Sequence, residues 1–548
     1  MKTTWFSRRI SVALAAGFFL LIGLFAGCGE DEKTDGGVDP GTSEITVEQI
    51  IFNPKSPAPG DTLRATAVVT AGTLNVGDFV TYKWTASDGV LLEDDMSSVR
   101  WQAPDESAVY SLSVTARNSV NTATASDDVF VGKLENFISE RAGELFPMPS
   151  GAALYYTSAP GFAIEGLIIR FKDGGVDQPV FVDARGGAQF SFDADRTHAA
   201  HVALNPFPRR VIVVHDDLQS KTQTTIASDS MTFRFRPNEY TKPNLSPDGK
   251  FICYQGSLLD QNTSSVGVDT FSVFVYDIVG GTTRRVTFKG NSTSPEVSRS
   301  FYPTFSSNNK HLVFVSDRSA PSVWELYALP VTGGAVTPDT APDALVRLSD
   351  TGGQMASGTA APPVGVAQQW NPNPAFPILA VIGVDSKLRL VPTDGSGARP
   401  VAAPGKVTDI RWAPNGQYLA ACVFDTGAGL NRICRVTPAG DFEEVSAGVA
   451  GDRLTDLTVS PGPDSEFLVY AVGRGSDVWY ELVDMRPSGS GKPVRITPAT
   501  VPARAADYGL PLQSLRSTWQ PGSKTAYLFF LDEDTPRVMT LDLSGIGQ

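Results

Sequence analysis

The chain has 548 residues, a formal net charge of −14 and 41% hydrophobic residues. This length is enough for two or more domains with large cores. The acidic balance disfavours nucleic acid as a partner, and it disfavours broad electrostatic binding to anionic lipid, because like charges repel.

The first residues follow the order of a secretion signal. Three basic residues lie within the first nine positions, and an apolar run over residues 10–25 precedes Ala-Gly-Cys at positions 26–28. Signal peptidases recognise a charged start, a short apolar middle and small residues before the cut. With a cysteine directly after the cut, residues 1–27 resemble a bacterial lipoprotein signal peptide, except that Phe25 stands where the lipobox usually has Leu. The resemblance implies lipid attachment to Cys28.

An uncleaved membrane anchor is the alternative interpretation, because the apolar run is only slightly shorter than the roughly 20 residues that span a bilayer. Both interpretations place the rest of the chain outside the cytoplasm. In the Gram-negative lipoproteins that the segment resembles, Gly rather than Asp at position 29 implies the outer membrane. We therefore expect a cell-envelope protein, attached to the membrane by its lipid only, that faces the periplasm or the cell surface.

Residues 28–45 are acidic, contain several glycines and carry few apolar side chains. Such a segment cannot bury enough apolar surface to fold, so it is predicted to be a flexible tether. Cleavage after residue 27 would remove three basic and no acidic residues, which lowers the net charge from −14 to −17.

Residues 46–132 show the period-two alternation of antiparallel strands, for example over Thr62–Val69 and Tyr110–Ala116. Trp84 stands where an immunoglobulin-like sandwich keeps its core tryptophan, and Tyr110 stands where it has its tyrosine corner. The segment resembles bacterial Ig-like and polycystic-kidney-disease-type (PKD) modules, with aliphatic residues in place of the two cysteines. The resemblance implies a small β-sandwich, which we expect to act as a spacer.

From residue 133 onward one pattern recurs, in which a bulky apolar residue precedes turn residues and a new apolar strand. The eight copies begin at Phe146, Phe192, Leu245, Phe305, Trp370, Trp412, Val459 and Trp519. Pro and Asp-Gly or Asn-Gly reverse the chain tightly, and the bulky residue is expected to pack between neighbouring sheets. The intervals between the first residues of successive copies, such as Phe146 to Phe192, suit one four-stranded propeller blade per copy.

Residues 133–548 are therefore predicted to form an all-β propeller of eight blades, with seven as the alternative. The last copy has a third strand over Arg537–Leu543 and no fourth strand after it. Leu134–Glu140 has strand-like alternation, so we predict that it completes the final blade and closes the ring.

Three segments within this domain carry a family resemblance. Asn244–Lys250, His311–Ser319 and Trp324–Gly334 are similar to the TolB-type propeller repeat. The resemblance implies a periplasm-type scaffold whose loops and axial mouth contact other macromolecules. It is specific for a propeller and says little about function.

A search for catalytic chemistry finds few candidates. His198 and His201 lie three apart in a predicted strand, where odd spacing points side chains to opposite faces, so we expect no metal site. The sequence contains no Gly-x-Ser-x-Gly nucleophile elbow and no calcium-loop spacing. No cofactor is expected.

Two cysteines flank a predicted hairpin turn over Thr426–Leu430. Cys422 and Cys434 are equidistant from its centre, so they are candidates for a cross-strand disulfide in an oxidising compartment. The alternative is that both remain thiols. Cys253 is predicted to be unpaired and buried.

These features favour a non-catalytic envelope lipoprotein, in which the sandwich presents the propeller to an envelope protein or to cell-wall glycan. The alternative is a carbohydrate-active propeller enzyme, a lyase or a glycosidase, with a site at the propeller axis. Catalysis from residues distant in sequence would leave no local motif.

Overall fold

The computed structural model describes residues 44–546 except for 72–78, 139–141, 149–151, 159–166, 174–175, 184–190, 194, 196, 207–208, 221, 229–232, 235–242, 259–269, 291–298, 357–366, 463–464, 476, 488, 490, 498–516 and 533–534. The predicted signal peptide, Cys28 and nearly all of the tether lie outside these ranges. Within them the regular structure is β-strand, and no helix is long and apolar enough to span a bilayer.

Two antiparallel sheets form an N-terminal sandwich. One has the order β1-β2-β5-β4 and the other β3-β6-β7. Their strands are β1 (Ile45–Asn53), β2 (Thr62–Ala71), β3 (Thr81–Ala86), β4 (Val90–Leu91), β5 (Ser98–Gln102), β6 (Ala108–Arg117) and β7 (Thr122–Val131). This strand order is that of a constant-type immunoglobulin sandwich. The Ig-like or PKD family assignment itself stays a prediction.

The sandwich core forms because every second residue of its strands is apolar and turns inward. Trp84 and Trp101 are fully buried within it. The Trp84 indole donates to the Met96 carbonyl at 2.8 Å, so its one polar atom is satisfied. The Tyr110 hydroxyl donates to the Glu106 carbonyl at 3.1 Å, which is the tyrosine-corner contact expected from the sequence.

The rest of the chain forms eight antiparallel sheets among the described residues, so the prediction of eight blades is confirmed. Blade 1 contains β9 (Ala142–Pro147), β10 (Ala153–Ser158), β11 (Leu167–Asp173) and β12 (Val176–Asp183), and blade 2 contains β13 (Ser191–Phe192), β14 (His198–Pro206), β15 (Arg209–Asp217) and β16 (Thr222–Ser228). Blade 3 contains β17 (Phe233–Arg234), β18 (Asn244–Leu245), β19 (Phe251–Leu258), β20 (Thr270–Asp277) and β21 (Thr282–Arg285). Blade 4 contains β22 (Ser300–Phe305), β23 (His311–Ser316), β24 (Glu325–Thr332), β25 (Ala335–Val336) and β26 (Val346–Arg347).

Blade 5 contains β27 (Ala367–Trp370), β28 (Ile378–Ile382), β29 (Leu388–Pro392) and β30 (Arg399–Pro400), and blade 6 contains β31 (Lys406–Trp412), β32 (Leu419–Asp425), β33 (Leu430–Val436) and β34 (Phe442–Ala447). Blade 7 contains β35 (Arg453–Val459), β36 (Phe467–Arg474), β37 (Asp477–Asp484) and β38 (Val494–Arg495). Blade 8 contains β39 (Thr518–Trp519), β40 (Thr525–Asp532) and β41 (Thr535–Asp542) together with β8 (Leu134–Ile138). Each of the eight bulky residues found in the sequence lies at or next to the end of a blade's first strand.

The ring closes as the sequence predicts. Strand β8 pairs with β41 as the outermost strand of blade 8, with Leu134 opposite Leu541 and Ile138 opposite Val538. Ile138 is buried in a cluster that contains residues of both blade 8 and blade 1. The leading segment of the domain therefore joins the first and last blades.

Blades 3 and 4 depart from four simple strands. In blade 3 the first position is divided between β17 and β18, which both pair with β19. In blade 4 the last position is divided between β25 and β26, which both pair with β24. A four-strand repeat drawn from the sequence does not show either division.

The sandwich packs against blades 7 and 8. Phe130 is fully buried and belongs to the same apolar cluster as Leu541 and Ile546 of the propeller. The Ser56 hydroxyl donates to the Ile496 carbonyl at 3.2 Å. A Cβ on Gly545 would lie 2.0 Å from the Ser107 carbonyl oxygen, so only glycine permits this approach. The two domains therefore share a close-packed contact.

Candidate functional site

The first strands of the blades surround the propeller axis, because they contact one another around the ring, as β18 contacts β22 and β31 contacts β35. Axial positions are common sites in propellers because several blades contribute side chains there. The polar residues of these strands therefore form the candidate site.

Three of these residues occupy the same position, three before the bulky residue of their blade. They are Tyr302, Asp409 and Asp456, and each lies at or next to a β-bulge. Tyr302 and Asp456 have φ values of 52° and 58°, which are uncommon for residues other than glycine. Bulges and left-handed residues redirect side chains, and they concentrate at functional sites.

Asp456 accepts hydrogen bonds from two residues outside its own strand, Ser517 directly before β39 and Tyr480 in β37. Its carboxylate accepts hydrogen bonds from the Ser517 N–H at 2.7 Å, from the Ser517 hydroxyl and from the Tyr480 hydroxyl at 3.1 Å. Desolvation among the inner strands raises the pKa of Asp456 to about 6, although these donors and the charge of Arg411 act in the opposite direction. The side chain keeps partial exposure to solvent. Asp456 therefore changes its charge near pH 6 at a position beside the axis.

Blade 6 adds a second carboxylate and a cation to this region. Asp409 and Arg411 are both partly exposed. The Asp409 carboxylate accepts the Ile410 N–H at 2.9 Å, and the Ile410 carbonyl accepts the Gln369 amide of blade 5 at 2.7 Å. Two carboxylates and one guanidinium thus lie on neighbouring inner strands, an arrangement suited to polar ligands.

Hydrogen bonds between blades hold these strands in place. The indole of Trp370 donates to the Thr304 hydroxyl at 3.0 Å, that of Trp412 to the Gln369 carbonyl at 3.0 Å, and that of Trp519 to the Thr458 carbonyl at 3.3 Å. Each bond joins a bulky residue to the first strand of the preceding blade. The prediction that these residues pack between sheets is confirmed, and their indole N–H groups also fix the spacing of the axial strands.

The two faces of the ring differ in the length of their connections. The turn face carries the connections from first to second and from third to fourth strands, which include residues 246–250 and 520–524. The loop face carries the other connections, and residues 348–366 and 496–517 separate described strands there. Antiparallel strands place these two sets at opposite ends of each blade. The sandwich contacts the outer rim of blades 7 and 8, through β38 and Ile496 and through the turn-face residue Lys492 and the segment after β41.

The histidines of blade 2 do not lie together as one group. His201 Nδ1 lies 2.9 Å from the buried Asp216 carboxylate, whereas His198 Nδ1 lies 3.1 Å from His215 Nε2. His198 and His201 therefore point to opposite faces of their strand, as their spacing predicts. Burial, and secondarily the charge of His198, lowers the pKa of His215. No group of three or more potential metal ligands occurs among the described residues.

The candidate disulfide between Cys422 and Cys434 is not formed in the structure, which has the two free thiols that the sequence left as the alternative. Cys422 lies opposite Ile433, and Cys434 lies opposite Ala421, so the register is one residue away from the predicted pairing. A shift of one residue turns a side chain to the other face of the sheet, and the two thiols belong to different core clusters. Both are free and buried, as is Cys253, whose burial was predicted.

Asp409 and Asp456 are not among the site residues predicted from the sequence. A signal was present, because the segments Lys406–Trp412 and Arg453–Val459 share an aliphatic residue followed by Thr-Asp at the same distance from the bulky residue. The bulges that re-aim these side chains depend on pairing with the second strand, which the repeat alone does not specify. Cys28, the predicted lipid site, lies outside the described residues.

Comparison with known proteins finds only remote similarity to solved structures. No family model matches the chain, and no curated protein matches it. Similar solved structures include an oligogalacturonate lyase from Vibrio parahaemolyticus (12% identity, TM-score 0.42, covering 75% of this chain and 91% of that one). They also include TolB from Acinetobacter baumannii (12% identity, TM-score 0.30, 72% and 78%) and dipeptidyl peptidase 4 from Porphyromonas gingivalis (9% identity, TM-score 0.43, 71% and 55%). Similarity at this level gives no evidence on activity.

Proposed function

We propose that this protein is a non-catalytic cell-envelope lipoprotein whose propeller binds an envelope protein or cell-wall glycan at its loop face. The observation that carries the proposal is the position of the sandwich. It packs against the outer rim of blades 7 and 8, and the contacts among the described residues leave the start of each axial strand uncovered at the loop face. Loops on a rigid scaffold are where binding residues concentrate.

The predicted anchor supports the same proposal. A lipid on Cys28 would attach to the sandwich end of the molecule, because the tether leads directly into β1. The propeller would then be held beyond the sandwich, with its loop face available to a partner. The acidic composition suits partners with basic or neutral polar surfaces.

A site-specific photo-crosslinker tests which face binds. Val384 and Phe376 are both exposed residues of blade 5, at 42% and 50%. Val384 belongs to the loop face and Phe376 to the turn face, so p-benzoylphenylalanine at these two positions forms a matched pair. In intact cells we expect crosslinks to a protein or to peptidoglycan from position 384 and none from position 376. Equal crosslinking at both positions, or crosslinking at 376 alone, would contradict the proposal.

A carbohydrate-active enzyme is the second candidate, and Asp456 is the observation that favours it. A carboxyl with a pKa of about 6 suits general acid catalysis near neutral pH, and Asp409 offers a second carboxylate. Turnover of a polysaccharide by the purified protein, lost in both Asp456→Asn and Asp409→Asn, would establish this candidate. Absence of turnover across neutral and acidic polysaccharides would leave binding as the function.

A further inference from the structure

The sandwich has two poles, which differ in what covers them. The near pole contacts the propeller, where the Gly132 N–H donates to the Pro57 carbonyl at 3.0 Å and Gly545 meets Ser107. The far pole lies at the other end of β6, about 30 Å away for a strand of ten residues. Nothing in the described part of the chain covers this far pole.

The far pole exposes large apolar side chains. Phe79 precedes β3 and is 72% exposed, and Val120 lies between β6 and β7 and is 63% exposed. Both lie just beyond the paired residues Thr81 and Arg117, where β3 and β6 meet. They therefore project from the same end of the same sheet.

Apolar exposure is concentrated in the sandwich as a whole. The most exposed large apolar residues among the described ranges are Ile51, Phe79, Val90, Leu92, Met96 and Val120 in the sandwich, and Val279, Phe288, Val346, Phe376, Val384 and Val449 in the propeller. The propeller is several times larger and carries the same number. Of the six sandwich residues only Phe79 and Val120 lie at the far pole, and these two large exposed side chains at one end of a sheet are suited to contact with an apolar surface.

The chain from Cys28 arrives at this same pole. The Ile45 N–H donates to the side-chain oxygen of Asn121 at 3.2 Å, directly beside Val120. Residues 28–44 reach at most about 55 Å when fully extended. Val38 is the one large apolar residue in this stretch of sequence, so the tether itself offers little to cover Phe79 and Val120.

Beyond the lipid-only attachment expected from the sequence, we propose that the far pole itself contacts the lipid bilayer, with Phe79 and Val120 placed in its interfacial region. This inference rests on the proposed lipid anchor, which holds the pole close to the membrane. A tethered domain needs only weak affinity for the surface, because the anchor supplies a high effective concentration. The contact would place the near pole and the propeller farther from the membrane than the far pole.

Tryptophan quenching by brominated lipid tests the contact. The variants Phe79→Trp and Val120→Trp place a fluorophore at the pole, and Val449→Trp, at a propeller position that is 58% exposed, is the matched control. Full-length acylated protein is reconstituted into phosphatidylethanolamine and phosphatidylglycerol vesicles with dibrominated phosphatidylcholine. Relative to wild type, we expect the added fluorescence at 79 and 120 to be quenched at least about twofold more than that at 449.

A second sample separates the inference from the anchor. The chain from residue 29 onward carries an N-terminal hexahistidine tag and is bound to nickel-chelating lipid in the same vesicles, with flotation confirming binding. Quenching at 79 and 120 in both samples supports the inference. If the tagged protein floats without selective quenching, the inference is overturned whether or not Cys28 is acylated. Failure of the full-length chain to take up fatty acid in cells would overturn only the proposed anchor. A stable dimer in solution that protects position 79 would also overturn the membrane contact, since the pole would then bind a second copy.

Discussion

At the scale of residues, the most informative side chain is Asp456. It lies in a bulge with a left-handed backbone, it is surrounded by inner strands, and it ties blade 7 to Ser517 ahead of blade 8. Desolvation raises its pKa to about 6. The same property makes Asp456 a candidate for ligand binding and a determinant of pH-dependent stability.

The pH dependence has a definite sign. An aspartate in an unfolded chain has a pKa of about 3.9. Between that value and about 6 the folded state binds more protons than the unfolded state, so the stability that Asp456 contributes is complete below about pH 4 and is lost as the pH rises through 6. Relative to wild type, we expect the unfolding free energy of Asp456→Asn to be about 3 kcal/mol higher at pH 8 than at pH 4. Urea unfolding at both pH values measures this, and a difference that is independent of pH would contradict it.

At the scale of elements, blades 3 and 4 are stabilised by side chains that bind backbone groups at the turn between their first and second strands. The Ser246 hydroxyl accepts the N–H groups of Phe251 at 2.9 Å and Lys250 at 3.1 Å, and it donates to Asp248 at 2.7 Å. Ser306 makes the corresponding bonds in blade 4. The turn chemistry that revealed the repeat is therefore also the chemistry that starts each second strand.

A substitution in this turn should be costly. Ser246→Ala leaves the buried Phe251 N–H without its side-chain acceptor, which costs about 1–3 kcal/mol. We expect a corresponding decrease in the urea midpoint. Ser220→Ala is the control, because Ser220 is exposed in the turn before β16 and should change stability by less than about 0.5 kcal/mol. Equal effects of the two substitutions would show that the Ser246 bonds do not stabilise the blade.

The closing strand can be tested in the same way. Ile138→Ala removes a buried side chain that touches both blade 8 and blade 1, with an expected loss of about 3 kcal/mol. Glu135→Ala in the same strand is exposed and should have little effect. Deletion of residues 133–142 should unfold the ring, which circular dichroism would detect as a loss of native strand signal. A deletion variant that keeps the native spectrum would show that β8 is dispensable.

At the scale of the whole molecule, the sandwich is fixed to the propeller. Phe130, Gly132 and the segment after β41 form a contact that gives the two domains one orientation. A spacer fixed in this way determines where the propeller faces as well as how far it stands from its anchor. The proposals for the loop face and the far pole both depend on this rigidity.

Loss of the interface should separate the domains. Phe130→Ala leaves a cavity between Leu541 and Ile546 and the sandwich, and we expect small-angle scattering to show a larger radius of gyration with separate thermal transitions for the two domains. Phe79→Ala is the matched control, since the same side chain at the far pole is 72% exposed. An unchanged scattering profile for Phe130→Ala would mean that the remaining contacts suffice.

The sequence by itself determined the repeat, the number of blades, the closing strand and the core of the sandwich. Turn residues such as Asp248 and Gly249, strand alternation and bulky residues such as Trp412 act within a few positions of one another, so a linear reading captures them. The tertiary structure decided what depends on register and on contacts between distant segments. One residue of register separated Cys422 from Cys434, bulges brought Asp456 to the axis beside Ser517, and burial of Phe130 fixed the sandwich against blades 7 and 8.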